Sequence, residues 1–381
     1  MRVLIDGFYG NDNLGDDYIL YSILNTISKV SKSRQDCIDV DVICNKEYNG
    51  YEWISKIFKN INFSMVSMPH SVHNFRRYTH WIIGGGGLFP KEQTDVLVKK
   101  YILTCVAKIA GTKIVIYGVE INPIKKKTSR MLWDMIRRNC DFVYLRNLES
   151  LQVFDRRDNV KSFADVTFAL KTAEESDKTD IEQFKKINYT LYAVAMPWSD
   201  DELSLSKYQK RYWRLVDLIV EYISQDANYP VFIPFYSGKD QKMINDIINK
   251  LDKEYKVIQD NRIGIKRLYF KYAKKCICMR FHSVLFSLYN ATAFFAISYS
   301  PKTTSVLQEN GLENICVELG VRSSEFFYKE FDVDESKFWQ KVNQLNSPEN
   351  LEKIATARDK LIHLSSIAEN DITNWLYGET L

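Results

Sequence analysis

At 381 residues the chain is longer than one hydrophobic core usually organises, so two domains are expected. Its 45% apolar and 26% charged residues exclude both a disordered chain and a fibrous repeat. Fifty-two Lys and Arg against 48 Asp and Glu leave a net charge of +4, too balanced for nucleic acid to be the partner.

Residues 2–5 read as a short buried strand, and after a turn rich in glycine and asparagine Ile19, Leu20, Ile23, Leu24 and Ile27 recur at helical spacing. Ile38, Val40 and Val42 alternate with Asp39 and Asp41 as a half-buried strand. Residues 81–83, 113–117 and 142–144 are further strands, and 96–109 and 131–138 are helices between them. Strands alternating with helices predict a mostly parallel sheet covered on both faces. The polar stretch 171–188, with Glu174, Glu175, Asp177, Lys178 and Asp180, reads as a connection between domains. A second series follows, with strands at 190–195, 231–235, 255–258, 276–279 and 293–297. Helices are expected at 208–223, 241–251, 264–273, 283–289 and 303–309.

The expected fold is therefore α/β, with two Rossmann-like, doubly wound domains at 1–175 and 188–346 and a helical segment at 347–381. Ligands of such sheets bind outside the carboxyl ends of strands, which makes a cleft between the domains the expected active site. Seven scattered cysteines without a C-x-x-C pair read as reduced thiols of a cytoplasmic protein, and no metal is expected. His70, His73 and His80 match no helical metal pair and read as loop or surface residues. No run of about 18 apolar residues is present to cross a membrane.

Four segments carry chemistry. The loop with Gly7, Gly10, Asn11, Asn13 and Gly15 ends in Asp16 and Asp17 at a helix start. These carboxylates either complement the helix dipole or bind a sugar hydroxyl and accept its proton. Gly84, Gly85, Gly86 and Gly87 follow a strand directly, as a sharp turn or as the wall of a ligand site. Neither loop has the dinucleotide or P-loop spacing. At 276–283 an apolar strand runs into Arg280, His282 and Ser283 where a helix begins. This is an anion site, with a forked donor, a helix N-terminus and a group that titrates near neutral pH. Lys302, after Ser298, Tyr299, Ser300 and Pro301, and Arg146 end strands in the same manner. Trp198, Tyr236 and Tyr299 read as core or rim packing, with stacking on a sugar as the alternative.

Taken in order, these segments resemble the polysaccharide pyruvyl transferase family. The matching pieces are Gly10-Asn11-x-Asn13-x-Gly15-Asp16-Asp17, Ile83-Gly84-Gly85-Gly86-Gly87, residues 146–150, Ala164-Asp165, Arg280-x-His282-Ser283, and Ser298-Tyr299-Ser300-Pro301-Lys302 before Gly311-Leu312. The resemblance implies a glycosyltransferase-B-like (GT-B-like) pair of domains, phosphoenolpyruvate as donor, and a cell-surface glycan or its precursor as acceptor. It implies no cofactor. By that similarity Arg280 maps onto donor binding and His282 onto the acid position; for such a ketal-forming reaction Lys302 and Arg146 are expected to neutralise charge, and Asp16 or Asp17 to orient or deprotonate the acceptor. Asn11, Asn13, Gly15, Gly85, Gly86 and Ser283 complete the expected substrate contacts.

Four positions depart from the family pattern. Glu120 and Asn122 replace glycines in the segment at 117–123, Met196 stands where members often carry arginine, and Asn147 replaces a common acidic residue. The rival readings are a sugar-nucleotide-dependent glycosyltransferase of the same architecture and an inactive glycan-binding relative. A lipid-linked acceptor would bring Lys125, Lys126, Lys127, Arg137 and Arg138 against anionic lipid at the inner face of the membrane.

Overall fold

The computed structural model describes residues 1–11, 13–44, 52–89, 94–121, 124–154, 158–170, 179–198, 203, 205–259, 263–322, 328–329 and 332–378. The chain divides into two compact units: Met1–Lys171 with Leu361–Leu381, and Thr172–Lys360. Of the stretch read as a connection, residues 171–178 lie outside the described residues, as do Asn122 and Pro123.

In the first unit β1 (Arg2–Asp6), α1 (Leu14–Arg34), β2 (Ile38–Ile43), α2 (Glu52–Ile57), β3 (Ile61–Val66), α3 (Val72–Phe75) and β4 (His80–Phe89) follow one another. Then come α4 (Thr94–Ile109), β5 (Lys113–Ile121), α5 (Lys127–Asn139), β6 (Phe142–Leu145) and β7 (Val160–Ser162). The strands pair in parallel in the order β3-β2-β1-β4-β5-β6-β7. The winding direction reverses between β1 and β4, so the glycine-rich loop after β1 lies beside the glycines of β4 at the switch point. Gly84 to Gly87 do not turn out of the sheet as expected but continue β4, Gly84 pairing with Tyr117 and Gly86 with Val119 of β5. Val3, Leu4 and Ile5 are fully buried because helices cover both faces of β1.

Two expectations are corrected in this unit. The strand at 38–43 is internal rather than half-buried, since β3 pairs outside it. Asp41 is buried there, and its carboxylate accepts hydrogen bonds from the Tyr78 hydroxyl at 2.8 Å and Arg2 Nε at 3.0 Å. Nothing in the sequence pattern announced β3, because as an edge strand it leaves most of its side chains partly or fully exposed. His80 is not a surface residue either. It opens β4 and is buried against Trp375, ring to ring at 4.6 Å.

The second unit runs α6 (Thr179–Phe184), β8 (Tyr189–Ala193), α7 (Ser206–Gln225), β9 (Tyr229–Phe232), α8 (Ser237–Ile248), β10 (Lys256–Val257), α9 (Ile263–Tyr272) and β11 (Lys275–Cys278). It continues with α10 (Phe281–Tyr289), β12 (Phe294–Ser298), α11 (Pro301–Gln308) and β13 (Cys316–Glu318). The sheet order is β10-β9-β8-β11-β12-β13, all parallel, with its switch point between β8 and β11. A two-stranded antiparallel piece, β14 (Val321–Arg322) with β15 (Tyr328–Lys329), and α12 (Glu335–Val342) come next. The last helix, α13 (Pro348–Tyr377), begins in the second unit and ends in the first. There Ala368, Ile372, Trp375 and Leu376 join the core beneath β5 and β6. Asp371 pairs with the Tyr144 hydroxyl, and Trp375 Nε1 donates to Asp141 at 2.7 Å.

Burial, helped by Lys113, lowers the His80 imidazole to a pKa of about 4, so it is neutral in the folded protein near neutral pH. Below pH ~6.5 the unfolded chain binds a proton that the folded chain refuses until about pH 4, so stability falls as pH drops through that window. The expected loss from this group is on the order of 3 kcal/mol. Denaturant unfolding at pH 7 and pH 5 should show a shallower pH dependence for His80→Gln than for the parent chain.

Candidate functional site

At the first switch point the chain leaves β1 through Asp6 and Gly7. Any Cβ on Gly7 would lie 2.6 Å from the Gly84 carbonyl oxygen, so a side chain is excluded where this loop meets β4. Tyr9 fastens them, its hydroxyl donating to Gly84 O at 2.9 Å. Burial and the nearby Asp16, Asp6 and Asp17 hold that phenol well above its ordinary pKa, so it remains a donor. Asn13 caps α1, its Oδ1 accepting from Gly15 N at 3.2 Å while its Nδ2 donates to Asp16 Oδ2 at 2.6 Å. Asn11 turns back on Tyr9 O at 3.2 Å.

Gly85 and Gly86 both have left-handed backbone, and a Cβ on Gly86 would stand 2.8 Å from Asp16 Oδ1. These glycines are needed so that α1 can press its first turns onto β4. Asp16 and Asp17 are both buried, and Lys100 pairs with Asp6 below them.

Arg146, just past β6, is buried and pairs with Glu120 and, at 3.4 Å, with Asp165. Burial alone would lower its pKa, but Glu120 and Asp165, with Asp16 farther off, outweigh that and raise it. Asp165 also caps the turn at Val166–Ala169 by accepting from Thr167 N at 3.0 Å. Glu120 is one of the positions that departs from the family's glycines. Its carboxylate occupies the guanidinium that the sequence reading offered to a substrate anion. Asn147, the other departure here, accepts from Ser150 N at 3.2 Å, and Ser150 in turn bonds Ile121 N at 2.9 Å and Ile121 O at 3.0 Å, fixing the end of β5.

In the second unit, β11 ends directly into Arg280, the N-cap of α10, with His282 and Ser283 in the first turn. Arg280 Nε lies 3.1 Å from both carboxylate oxygens of Asp240, its Nη2 also binds Asp240, and Nη1 donates to the Tyr299 hydroxyl at 3.0 Å. Asp240 is completely buried and also accepts from the backbone N–H of Phe235 at 3.0 Å and of Tyr236 at 2.9 Å. It therefore ties the turn after β9 to the guanidinium. From the other side the buried Lys266 donates to Pro234 O at 2.8 Å. Burial would lower the Arg280 pKa, but Tyr299 and Asp240 raise it, so the cation is permanent. A guanidinium has five N–H donors. Among the described residues, Asp240 and Tyr299 take three of them, which leaves two for a ligand.

Ser283 Oγ donates to Arg280 O at 2.6 Å, so its hydroxyl closes the helix start. His282 is nearly buried beside the Phe281 ring. Lys302, exposed on the first turn of α11, has its ammonium 5.5 Å from the same ring. Tyr236 and Tyr299 are half-buried at Arg280, whereas Trp198 and Met196 belong to the core. Arg280 and Tyr299, both singled out from the sequence, thus come together with a partner, Asp240, that was not. Asp240 is the fourth residue of a helix that follows a strand, a position where a carboxylate reaching back to the preceding turn leaves only a weak trace.

Two doubly wound folds in one chain, each with its polar loops at a switch point, define a GT-B-like protein. The family model for polysaccharide pyruvyl transferase matches residues 13–301, and the chain belongs to that family. No curated protein matches it. Among solved structures it is similar to UDP-GlcNAc 2-epimerase from Neisseria meningitidis bound to UDP-GlcNAc, at 9% identity and TM-score 0.61, covering 100% of both chains. UDP-GlcNAc 2-epimerase from Methanocaldococcus jannaschii gives 10% identity and TM-score 0.60 over 99% of this chain and 100% of that one. UGT2 of Phytolacca americana complexed with UDP-2fluoro-glucose and pterostilbene gives 9% and 0.55 over 99% of both. Likeness at these identities establishes the fold.

The expected phosphoenolpyruvate donor, and with it the ketal-forming transferase activity, is corrected. The three solved structures named above, with which the chain aligns over almost its whole length, are two UDP-GlcNAc 2-epimerases and a protein complexed with UDP-2fluoro-glucose. Arg146, assigned to neutralising the donor's charge, is itself paired with Glu120 and Asp165.

Two stability outcomes follow from these contacts. Gly85→Ala puts a methyl group 2.1 Å from Ile19 Cγ2 at a left-handed position and should destabilise the first unit by roughly 2 kcal/mol or more, read by denaturant unfolding. Asp240→Asn removes the charge opposite Arg280 and should cost about 3 kcal/mol, with Asp240→Glu intermediate.

Proposed function

We propose that the protein is a sugar-nucleotide-dependent enzyme whose second unit holds the diphosphate of its donor at the β8/β11 switch point. The observation that carries this reading is the Arg280 guanidinium, fixed by a buried carboxylate at the carboxyl end of β11 and retaining two donors among the described residues. The starts of α10 and α11 stand behind consecutive strand ends, and neither is capped by a side chain. Their backbone N–H groups add neutral donors and a favourable dipole.

This arrangement suits a leaving diphosphate. As the bond from the anomeric carbon to the diphosphate oxygen breaks, negative charge builds on that oxygen, and donors already in place stabilise it without reorganising. Pairing with Asp240 removes net charge from Arg280 but fixes its direction, so the site recognises phosphate oxygens by geometry more than by charge. His282, two residues on, supplies an imidazole able to donate or accept a proton. The full-length fold similarity to UDP-sugar proteins supports uridine diphosphate as the nucleotide portion.

Isothermal titration with UDP tests the reading, and saturable binding that phosphoenolpyruvate does not compete away is expected. Arg280→Lys keeps the charge but loses the fork, and should weaken UDP about tenfold, with a fall in melting temperature smaller than that of Asp240→Asn. His282→Ala should leave UDP affinity within a few fold and lower turnover of a UDP-sugar by roughly a hundredfold to ten thousandfold. Absence of UDP binding by the parent chain would remove the proposal.

A further inference from the structure

Helices α4 and α5 lie side by side on one face of the first sheet. Asn139 Nδ2 donates to Thr104 Oγ1 at 3.0 Å and Lys108 Nζ to Arg138 O at 2.8 Å. Their inward residues Leu97, Ala107, Leu132, Trp133 and Ile136 fill the core. Their outward face is unusual for a protein surface. Val98, Ile102 and Ile109 stand on α4 at spacings of four and seven, with Ile102 53% and Ile109 73% exposed, and Met131 on α5 is 59% exposed. A helix that buries one apolar stripe and presents another to solvent has a second apolar partner.

The charge around this face identifies the partner. Residues 94–139 contain ten Lys or Arg and three Asp or Glu, whereas the whole chain carries +4, so the remainder is net negative. Of the three acids, Glu120 is committed to Arg146, and Asp134 to Arg137 and Arg138. Lys99, Lys108, Arg130 and Arg138 are exposed around the stripe, and Lys125 to Lys127 lead into α5. Two copies of this chain meeting through that face would bring like charges together. An anionic bilayer satisfies both features, since basic side chains gain from the surface potential and the isoleucines from the acyl boundary. Among the described residues no helix is long and apolar enough to cross a membrane, so the contact is peripheral.

We infer that the outward face of α4 and α5 is a docking surface for an anionic lipid membrane, placing the first unit against the bilayer. The inference stands on the first unit alone and is independent of the nucleotide reading.

Vesicle co-sedimentation of the full chain tests it. Phosphatidylcholine vesicles with about one-third phosphatidylglycerol should bind the protein, pure phosphatidylcholine vesicles should not, and raising salt from ~0.05 to ~0.5 M should weaken binding several-fold. The double variant Ile102→Ser, Ile109→Ser changes exposed positions only. It should keep its melting temperature and lose roughly tenfold or more in vesicle affinity. Charge reversal at Lys125, Lys126 and Lys127 should lower binding to anionic vesicles as well. The inference is overturned if the parent chain ignores anionic vesicles, or if the isoleucine variant binds them unchanged. A dimer in solution that the isoleucine variant abolishes, with no lipid binding, would likewise assign the face to a second copy and overturn it.

Discussion

The second unit depends on a carboxylate with no access to water. A buried Asp is costly unless its oxygens are satisfied, and Asp240 satisfies them with two backbone N–H groups of the turn after β9 and the guanidinium of Arg280. The three elements converging there come from separate places in the sequence: the loop that ends β9, the start of α8 and the end of β11. Once joined, the arginine no longer searches for its anion. Its remaining donors, the Tyr236 and Tyr299 rings and the start of α10 form a rigid rim whose shape is set before any ligand arrives.

The first unit uses the same device with the balance of charge reversed. One guanidinium, Arg146, serves Glu120 and Asp165, with Asp16 nearby, so its switch point is richer in carboxylate than in cation. Such a surface suits hydroxyl groups, which a carboxylate can orient or deprotonate, better than it suits phosphate. The glycine-to-Glu120 departure is therefore more than a local backbone change, because it converts a position with no side chain into the partner that neutralises a neighbouring arginine.

Much of this was legible in the sequence. The alternation of apolar runs with helical periodicity gives both parallel sheets, because each internal strand is buried on both faces and leaves a continuous hydrophobic signature. The loop after β1 and the Arg280 to Ser283 stretch lie at strand ends and mark themselves by composition, whereas Gly84 to Gly87, read as following a strand, continue β4 itself. Elements that stayed silent are those whose burial is partial or borrowed. The edge strand β3 exposes most of its side chains, and β13 is three residues long. His80 and Asp41 looked like surface residues because a single polar residue in a strand carries no sign of the distant partner that covers it, Trp375 in one case and Tyr78 in the other. The pairing of Arg280 with Asp240 spans forty residues and is fixed by packing, which no spacing rule encodes.

The last helix starts in one unit and finishes in the other, and this bears on how the protein is made. Ala368, Ile372, Trp375 and Leu376 complete the hydrophobic interior of the unit formed by the amino-terminal residues. That sheet thus lacks part of its interior until residues 368–376 have been made, and during elongation it awaits residues still within the ribosome. An amino-terminal fragment cut at the boundary near residue 171 would expose the sheet face that this helix covers, so dissecting the protein into independently folding halves requires keeping both ends of the chain together.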